Sequence, residues 1–196
     1  MSSKIHFEQI ETGSYRNFVY LVADRDVGIA VIFDPAWDVK GLLSRLEKDQ
    51  LQLKYIINTH AHFDHIEGNQ EMKADTGAPV LMHESSLAEK DIGVTDGTVL
   101  KVSDGLRLKF IHTPGHSPES MCIIANDGML ITGDTLFIGE CGRVDLPGGN
   151  AGQLFESFEK LKKLDKNLVV YPGHNYGPVR FSTLGFLRYD QNAHAY

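Results

Sequence analysis

No run of lysine or arginine in this chain exceeds two residues, and 26 acidic residues outnumber 19 basic ones, for a formal net charge of −7. Proteins that bind nucleic acid or an anionic membrane electrostatically carry a basic patch. Neither partner is expected here, and an anionic substrate would need locally placed cations. Long apolar runs are missing too. None approaches the roughly 18 residues of a membrane-spanning helix, and the opening MSSKIHFEQI has no apolar stretch of the kind that drives export. A cytoplasmic protein is expected. Cysteine is scarce: Cys122 and Cys141 are the two in the chain, and in a reducing compartment both should stay thiols. Cys122, inside the apolar MCIIA, reads as a small core residue. Neither a low-complexity linker nor an internal repeat divides the 196 residues. One globular domain over 1–196, monomeric or homodimeric, is the expectation.

What is present reads as strands first. KIHFEQI and NFVYLVA alternate or run apolar, and GIAVIFDP is an apolar run closed by Pro35. These predict an antiparallel entry into a sheet. Asp38 is placed to cap a helix carrying Val39, Leu42, Leu43 and Leu46 on one stripe, ending near Asp49. LKYIIN then predicts a buried strand, with a helix from about Gly68 to Asp75 beyond it. Further on come the strand PVLMH, a short helix near Glu84 to Lys90, and the strands TVLKV and LRLKFIH. SMCIIA and GMLIT follow as a hairpin across Asn126-Asp127-Gly128. A second amphipathic helix fits Gly152 to Leu164 with Asn150 as its cap, and NLVVYP is a last strand. Two runs of strands, each with its helices, predict two packed sheets with helices outside.

Between strand and helix stands NTHAHFDHIEG, with His60, His62, Asp64 and His65 in six consecutive positions. Three further polar residues occupy a common context. His116 follows LKFIHTPG, Asp134 follows GMLITG, and His174 follows LVVYPG, each just past an apolar strand and directly after glycine. Strand ends gathered at one sheet edge would bring all seven side chains together on loops held by a rigid scaffold. Neutral imidazole and carboxylate are natural ligands of zinc and similar metals, and one ion rarely takes more than about four protein ligands. Seven candidates therefore predict two ions, with Asp134 able to bridge them. Such a pair lowers the pKa of a bound water and polarises a carbonyl or phosphoryl group, so metal-assisted hydrolysis is the chemistry indicated. His6, His83, His112 and His194 lack this context and read as ordinary structural or surface residues. Asp34, before Pro35, reads as a turn.

The ordered set THAHFDH, TPGHS, TGDTLF and YPGHNYG resembles the metallo-β-lactamase superfamily, from the first strands to about Thr183. The resemblance implies an α/β (α+β) fold: an αββα sandwich of two mixed β-sheets flanked by helices, with the metal site at one edge. By motif position it implies that His60, His62 and His116 hold a first metal, that Asp64, His65 and His174 hold a second, and that Asp134 bridges. Asp64 and Asp134 would then take part in catalysis. Within the superfamily, GECGRVDLPGG and PGHNYG are most similar to the glyoxalase II group. That group implies hydrolysis of S-acylglutathione thiolesters with two divalent ions, zinc ahead of iron or manganese, and a glutathione conjugate contacted by Arg143 and Tyr176. Glyoxalase II proper has a C-terminal helical domain, whereas this chain stops 22 residues past His174. A compact relative with another thiolester substrate is the expectation.

A rival group, the glutathione persulfide dioxygenases, shares much of CGRxD and uses one iron at positions matching His60, His116 and Asp134. β-Lactamase activity itself is disfavoured, because those enzymes lack a carboxylate at the position of Asp134. Metals as mere structural staples fit least, since structural zinc has a closed four-ligand shell and a domain of this size needs no staple.

Overall fold

Two six-stranded sheets divide the chain at its middle in the computed structural model, which describes residues 5–190. The first holds β1 (Ile5–Thr12), β2 (Asn17–Asp24), β3 (Ile29–Phe33), β4 (Gln52–Ile57), β5 (Val80–His83) and β6 (Ile92–Val94), in sequence order. β7 (Val99–Lys101), β8 (Arg107–His112), β9 (Met121–Ala125), β10 (Met129–Gly133), β11 (Val169–Pro172) and β12 (Ser182–Thr183) build the second. The antiparallel entry is present as β1–β2–β3, and β4, β5 and β6 continue parallel to β3.

Burial on both faces explains why the central strands read as unbroken apolar runs rather than alternations. Phe18, Tyr20 and Val22 of β2 point between the sheets, against Phe110, Ile123 and Ile131 from the other sheet. Val19, Leu21 and Ala23 face outward onto α1 (Val39–Lys48) and α3 (Asn69–Thr76), meeting Leu42, Leu46 and Met72. The outer face of the second sheet packs Ile111, Cys122 and Val170 against α4 (Ala151–Leu161) and α5 (Leu184–Asp190). This is the predicted sandwich with helices outside, and Cys122 is the core residue expected. Asp38 and Asn150 cap α1 and α4 as read, each accepting from a backbone N–H three residues on.

Two local expectations fail. The segment predicted as a helix near Glu84 to Lys90 is a loop, with Leu87 fully exposed. Its one large apolar side chain has nothing to pack against, and a few residues of helix do not hold without tertiary support. The loop instead lets β6, three residues unrecognised in the sequence, pair with β5. α4 also stops at Leu161, short of Leu164. α5 ends the described part of the tail, and His194 lies outside the described residues. No helix among the described residues is long and apolar enough to cross a membrane.

Candidate metal centre

Strand direction gathers the site. β3, β4 and β5 are parallel, so their C-terminal ends share one edge of the first sheet. In the second sheet β8 and β10 both run antiparallel to β9, and β11 runs parallel to β10. The residues after β8, β10 and β11 therefore also emerge together. Backbone hydrogen bonds close the two sheets against each other here, from Met121 N to Thr59 O (2.9 Å) and from Phe18 N to Gly173 O (2.8 Å).

The THAHFDH segment bends at Thr59 and His60 after β4, is extended at His62, and then turns into the single-turn helix α2 (Phe63–Ile66), which carries Asp64 and His65 and brings the His65 ring to 4.1 Å from that of His60. Asn58 and Asn69 clamp this turn. Their amides exchange hydrogen bonds at 2.8 and 3.2 Å, and Asn58 also donates to His65 O at 2.9 Å. Glycine before the ligand positions is a packing requirement. Gly133 has φ +48°, and a Cβ there would lie 2.4 Å from Thr59 Oγ1; a Cβ on Gly173 would lie 2.2 Å from Asp134 Oδ1.

All seven predicted side chains converge. Three groups have their donor atoms within 4.8 Å of one another: His60, His62 and His116; His60, His65 and Asp134; and Asp64, His65 and His174. His62 Nδ1 is 2.9 Å from His116 Nε2, and His65 Nε2 is 3.2 Å from His174 Nε2. Asp134 stands between the two sides, its Oδ1 3.5 Å from His65 Nε2 and its Oδ2 3.6 Å from His116 Nε2 and 3.3 Å from His174 Nε2.

Four histidines are oriented by what their outer nitrogens touch. Nδ1 of His65 donates to Asp34 Oδ2 (3.1 Å), Nδ1 of His116 to Arg143 O (2.8 Å) and Nδ1 of His174 to Tyr15 O (2.9 Å). Thr59 Oγ1 gives its own proton to Asp34, so its lone pair receives His60 Nδ1 at 3.0 Å. With each Nδ1 a donor, each inward Nε2 carries a lone pair. Lone pairs packed this closely repel unless a cation lies among them. His60 Nε2 and Asp134 Oδ1 are buried with no hydrogen-bond partner at all, a cost natural interiors rarely accept. Two donors about 2.0–2.1 Å from a tetrahedral zinc lie roughly 3.3 Å apart, close to the spacings found. The residues fit divalent metal.

Without metal, the same field draws a proton onto one ring. Burial and the neighbouring imidazoles hold His60 well below the ordinary histidine range, and burial and His116 lower His62. Burial also disfavours charge on His65, but Asp134, Asp34 and Asp64 outweigh it and lift His65 to about 9. Asp134 resists protonation despite its burial because the histidines around it, His65 first, favour its charge.

Asp34 overturns its reading as a mere turn. It is buried, sits at φ +51°, and accepts from Thr59 N (2.8 Å), Thr59 Oγ1 (2.7 Å) and His65 Nδ1. Its partners lie 25 and 31 residues ahead, so an Asp-Pro pair carried no sign of them. Asn17 was also missed: it donates to Asp64 O (2.8 Å) and Oδ2 (3.1 Å) while accepting from Trp37 Nε1 (3.2 Å).

The cluster floors a cleft of about 550 Å³ walled by Tyr15, Phe63, Phe137, Leu146 and Tyr176, with Arg143 at its rim. Tyr176 stacks on His174, ring centroids 4.6 Å apart and planes 9° from parallel. Burial and the carboxylates of Asp134 and Asp64 raise its pKa, keeping the hydroxyl a donor. Arg143 is not a free cation. Its Nε and Nη2 hold both oxygens of Asp145, at 2.7 and 2.6 Å. His83 and His112 remain outside the cluster and stack on each other at 3.9 Å.

Comparison with known proteins agrees with this geometry. The family described as the metallo-beta-lactamase superfamily matches residues 13–91 and 84–174. A hydroxyacylglutathione hydrolase of Pelagibacter ubique is 35% identical over 82% of this chain and 67% of its own length. The human protein named persulfide dioxygenase ETHE1, mitochondrial, is 34% identical over 85% of the chain and 67% of its own length. The chain thus spans about two thirds of the length of these curated relatives. Among solved structures, ETHE1 from Myxococcus xanthus superposes with a TM-score of 0.84 at 29% identity, covering 92% of this chain and 80% of that one. Sheet order, converging donors and sequence likeness lead to one conclusion: the chain belongs to the metallo-beta-lactamase superfamily of metal-binding enzymes.

Proposed function

We propose that this protein hydrolyses thiolesters at a dinuclear centre. His60, His62 and His116 would hold one divalent ion, Asp64, His65 and His174 a second, and Asp134 would bridge, with zinc the first candidate. One observation carries the reading: Asp134 lies within reach of both histidine groups, its Oδ2 between His116 (3.6 Å) and His174 (3.3 Å) and its Oδ1 beside His65 (3.5 Å). A single ion at His60, His116 and Asp134 would leave the close pair His65–His174 and Asp64 without a cation to share.

When bound, two divalent ions supply Lewis acidity that activates water and polarises a carbonyl. The chain's own residues do the rest. Asp64, anchored by Asn17, offers a carboxylate at the cleft floor to take the proton released as water oxygen bonds to the thiolester carbon. The C–S bond then breaks, and the proton passes to the departing thiolate. Tyr176 donates a hydrogen bond to the substrate from its stack on His174. Arg143 contacts the thiol carrier through the N–H groups that Asp145 leaves free, so it contributes hydrogen bonds rather than uncompensated charge. S-acylglutathione is the substrate class that the hydroxyacylglutathione hydrolase relatives support.

The persulfide dioxygenase relatives, as near in identity, favour a second reading with one iron. Metal analysis of protein purified without added metal, followed by a thiolester panel including S-lactoylglutathione, separates the two. About two ions per chain with thiolester cleavage is expected. One iron per chain with oxygen uptake on glutathione persulfide would overturn the hydrolase.

A further inference from the structure

His62 is aimed differently from the other histidines of the centre. His60, His65, His116 and His174 each rest Nδ1 on an oxygen at their outer side. Among the described residues no such oxygen holds His62, whose Nδ1 instead faces His116 Nε2 at 2.9 Å. A ring without an outer partner takes its direction from the backbone that carries it. On one side of that backbone Thr59 is tied to Asp34 and to Met121 N. On the other, α2 begins as His65 N donates to His62 O at 2.9 Å. Between these anchors Ala61 N donates to Glu119 Oε1 at 3.0 Å, a bond that spans 58 positions of sequence.

The position of Glu119 suits it to that task. It lies on the turn after His116, where the hydroxyls of Ser117 and Ser120 bond at 2.7 Å and Thr113 N donates to Ser120 O at 2.8 Å. This closed turn carries His116 directly and reaches the backbone before His62 through the carboxylate. An ionised acceptor makes a stronger bond to a backbone N–H than a neutral one does. Two ligands from opposite sheets are thereby held in register by one side chain.

We infer that Glu119 is a positioning residue of the metal centre: through Ala61 N–H it sets His62 against His116, and so sets the affinity of the His60, His62 and His116 group for its ion. The inference rests on the reading above that these three share one ion, and adds a residue that touches neither metal nor substrate.

The test is a stepwise cobalt(II) titration in competition with a chelator, followed by absorbance, on the metal-stripped protein and its Glu119→Ala variant. His62→Ala and His174→Ala mark which step belongs to which histidine group. Glu119→Ala should weaken the step that His62→Ala weakens by about tenfold, the lower end of what loss of an orienting partner costs, and leave the other step within about twofold. Glu119→Gln keeps an accepting oxygen and should recover most of the loss. Combined with His62→Ala, Glu119→Ala should cost that step nothing further, because it acts through that ring. Glu119 is half-buried, so the variants should fold, which thermal unfolding checks. Unchanged affinity in Glu119→Ala, equal weakening of both steps, or a loss that adds to that of His62→Ala overturns the inference. No substrate is used, so a protein that binds two ions and cleaves no thiolester overturns the hydrolase and leaves Glu119 standing. A single cobalt step in the unaltered protein overturns the dinuclear reading, and Glu119 then stands or falls by whether Glu119→Ala weakens that step.

Discussion

Two groups of histidines end strands in this protein, and they behave differently. Four of the five in the metal centre turn Nδ1 outward onto a carbonyl, a hydroxyl or a carboxylate and bring Nε2 inward, while His62 faces His116 with its Nδ1, and buried atoms are left unpartnered. His83 and His112 instead lie face to face, 10° from parallel, with His83 bonded to Ser85 (2.7 Å) and His112 to Pro118 O (2.8 Å). They join the ends of β5 and β8 across the sandwich. Histidine density alone does not make a metal site. Convergent lone pairs and an interposed carboxylate do, and the stack has neither.

The largest effect should come from Asp134→Ala, which removes the carboxylate between the two groups. Loss of stabilisation worth several kcal/mol corresponds to about a thousandfold fall in kcat/KM, with metal content falling while circular dichroism stays native. Full activity in that variant would refute the bridging role. Next is Asp34→Ala, which strands Thr59 and His65. Loss of such an orienting partner typically costs tenfold to a hundredfold in metal affinity, and the unpaired buried donors should cost about 2–4 kcal/mol on top. Competition with a chelator and denaturant titration measure the two effects separately. Asp34→Asn, which still accepts, should recover part of both.

A third prediction concerns pH in protein stripped of metal. The folded pKa of His65, about 9, lies above its ordinary value of 6.5. The stabilisation from its charged form is therefore full below about pH 6.5 and lost as pH rises through 9. Thermal unfolding of the stripped protein should weaken over that window. The metal-loaded protein should not show the loss, since ligation holds the imidazole neutral. His83→Ala should have the smallest effect: unchanged metal content and turnover, and about 1 kcal/mol of stability for a lost hydrogen bond and stack. Burial and His112 lower the pKa of His83, so what the stack contributes is present above pH 6.5 and fades as pH falls. If His83→Ala cost a metal ion, the contrast between the two groups would collapse.

The donor set was legible because every member announces itself locally, either crowded in THAHFDH or placed after strand and glycine. The residues that aim those donors were not. Asp34 looks like a turn, Asn17 like the start of a strand, and their partners are 20 to 47 positions away. Arg143 shows the converse. Its cationic side chain and Asp145, two positions on, both stand in the sequence, where a local pair that shapes the loop is one reading of Arg143, and the folded loop joins them.

By itself, then, the sequence determined ten of the twelve strands, the helices whose apolar faces repeat at the right period, and the seven side chains available to metal. Those are properties of short segments, governed by periodicity, capping and side-chain chemistry. Tertiary structure alone decided that the ends of β4, β8, β10 and β11 share one edge, which lone pair each imidazole turns inward, and that Asp34 and Asn17 reach the ligand loop. These depend on strand direction and on contacts across the sandwich, which no single segment contains.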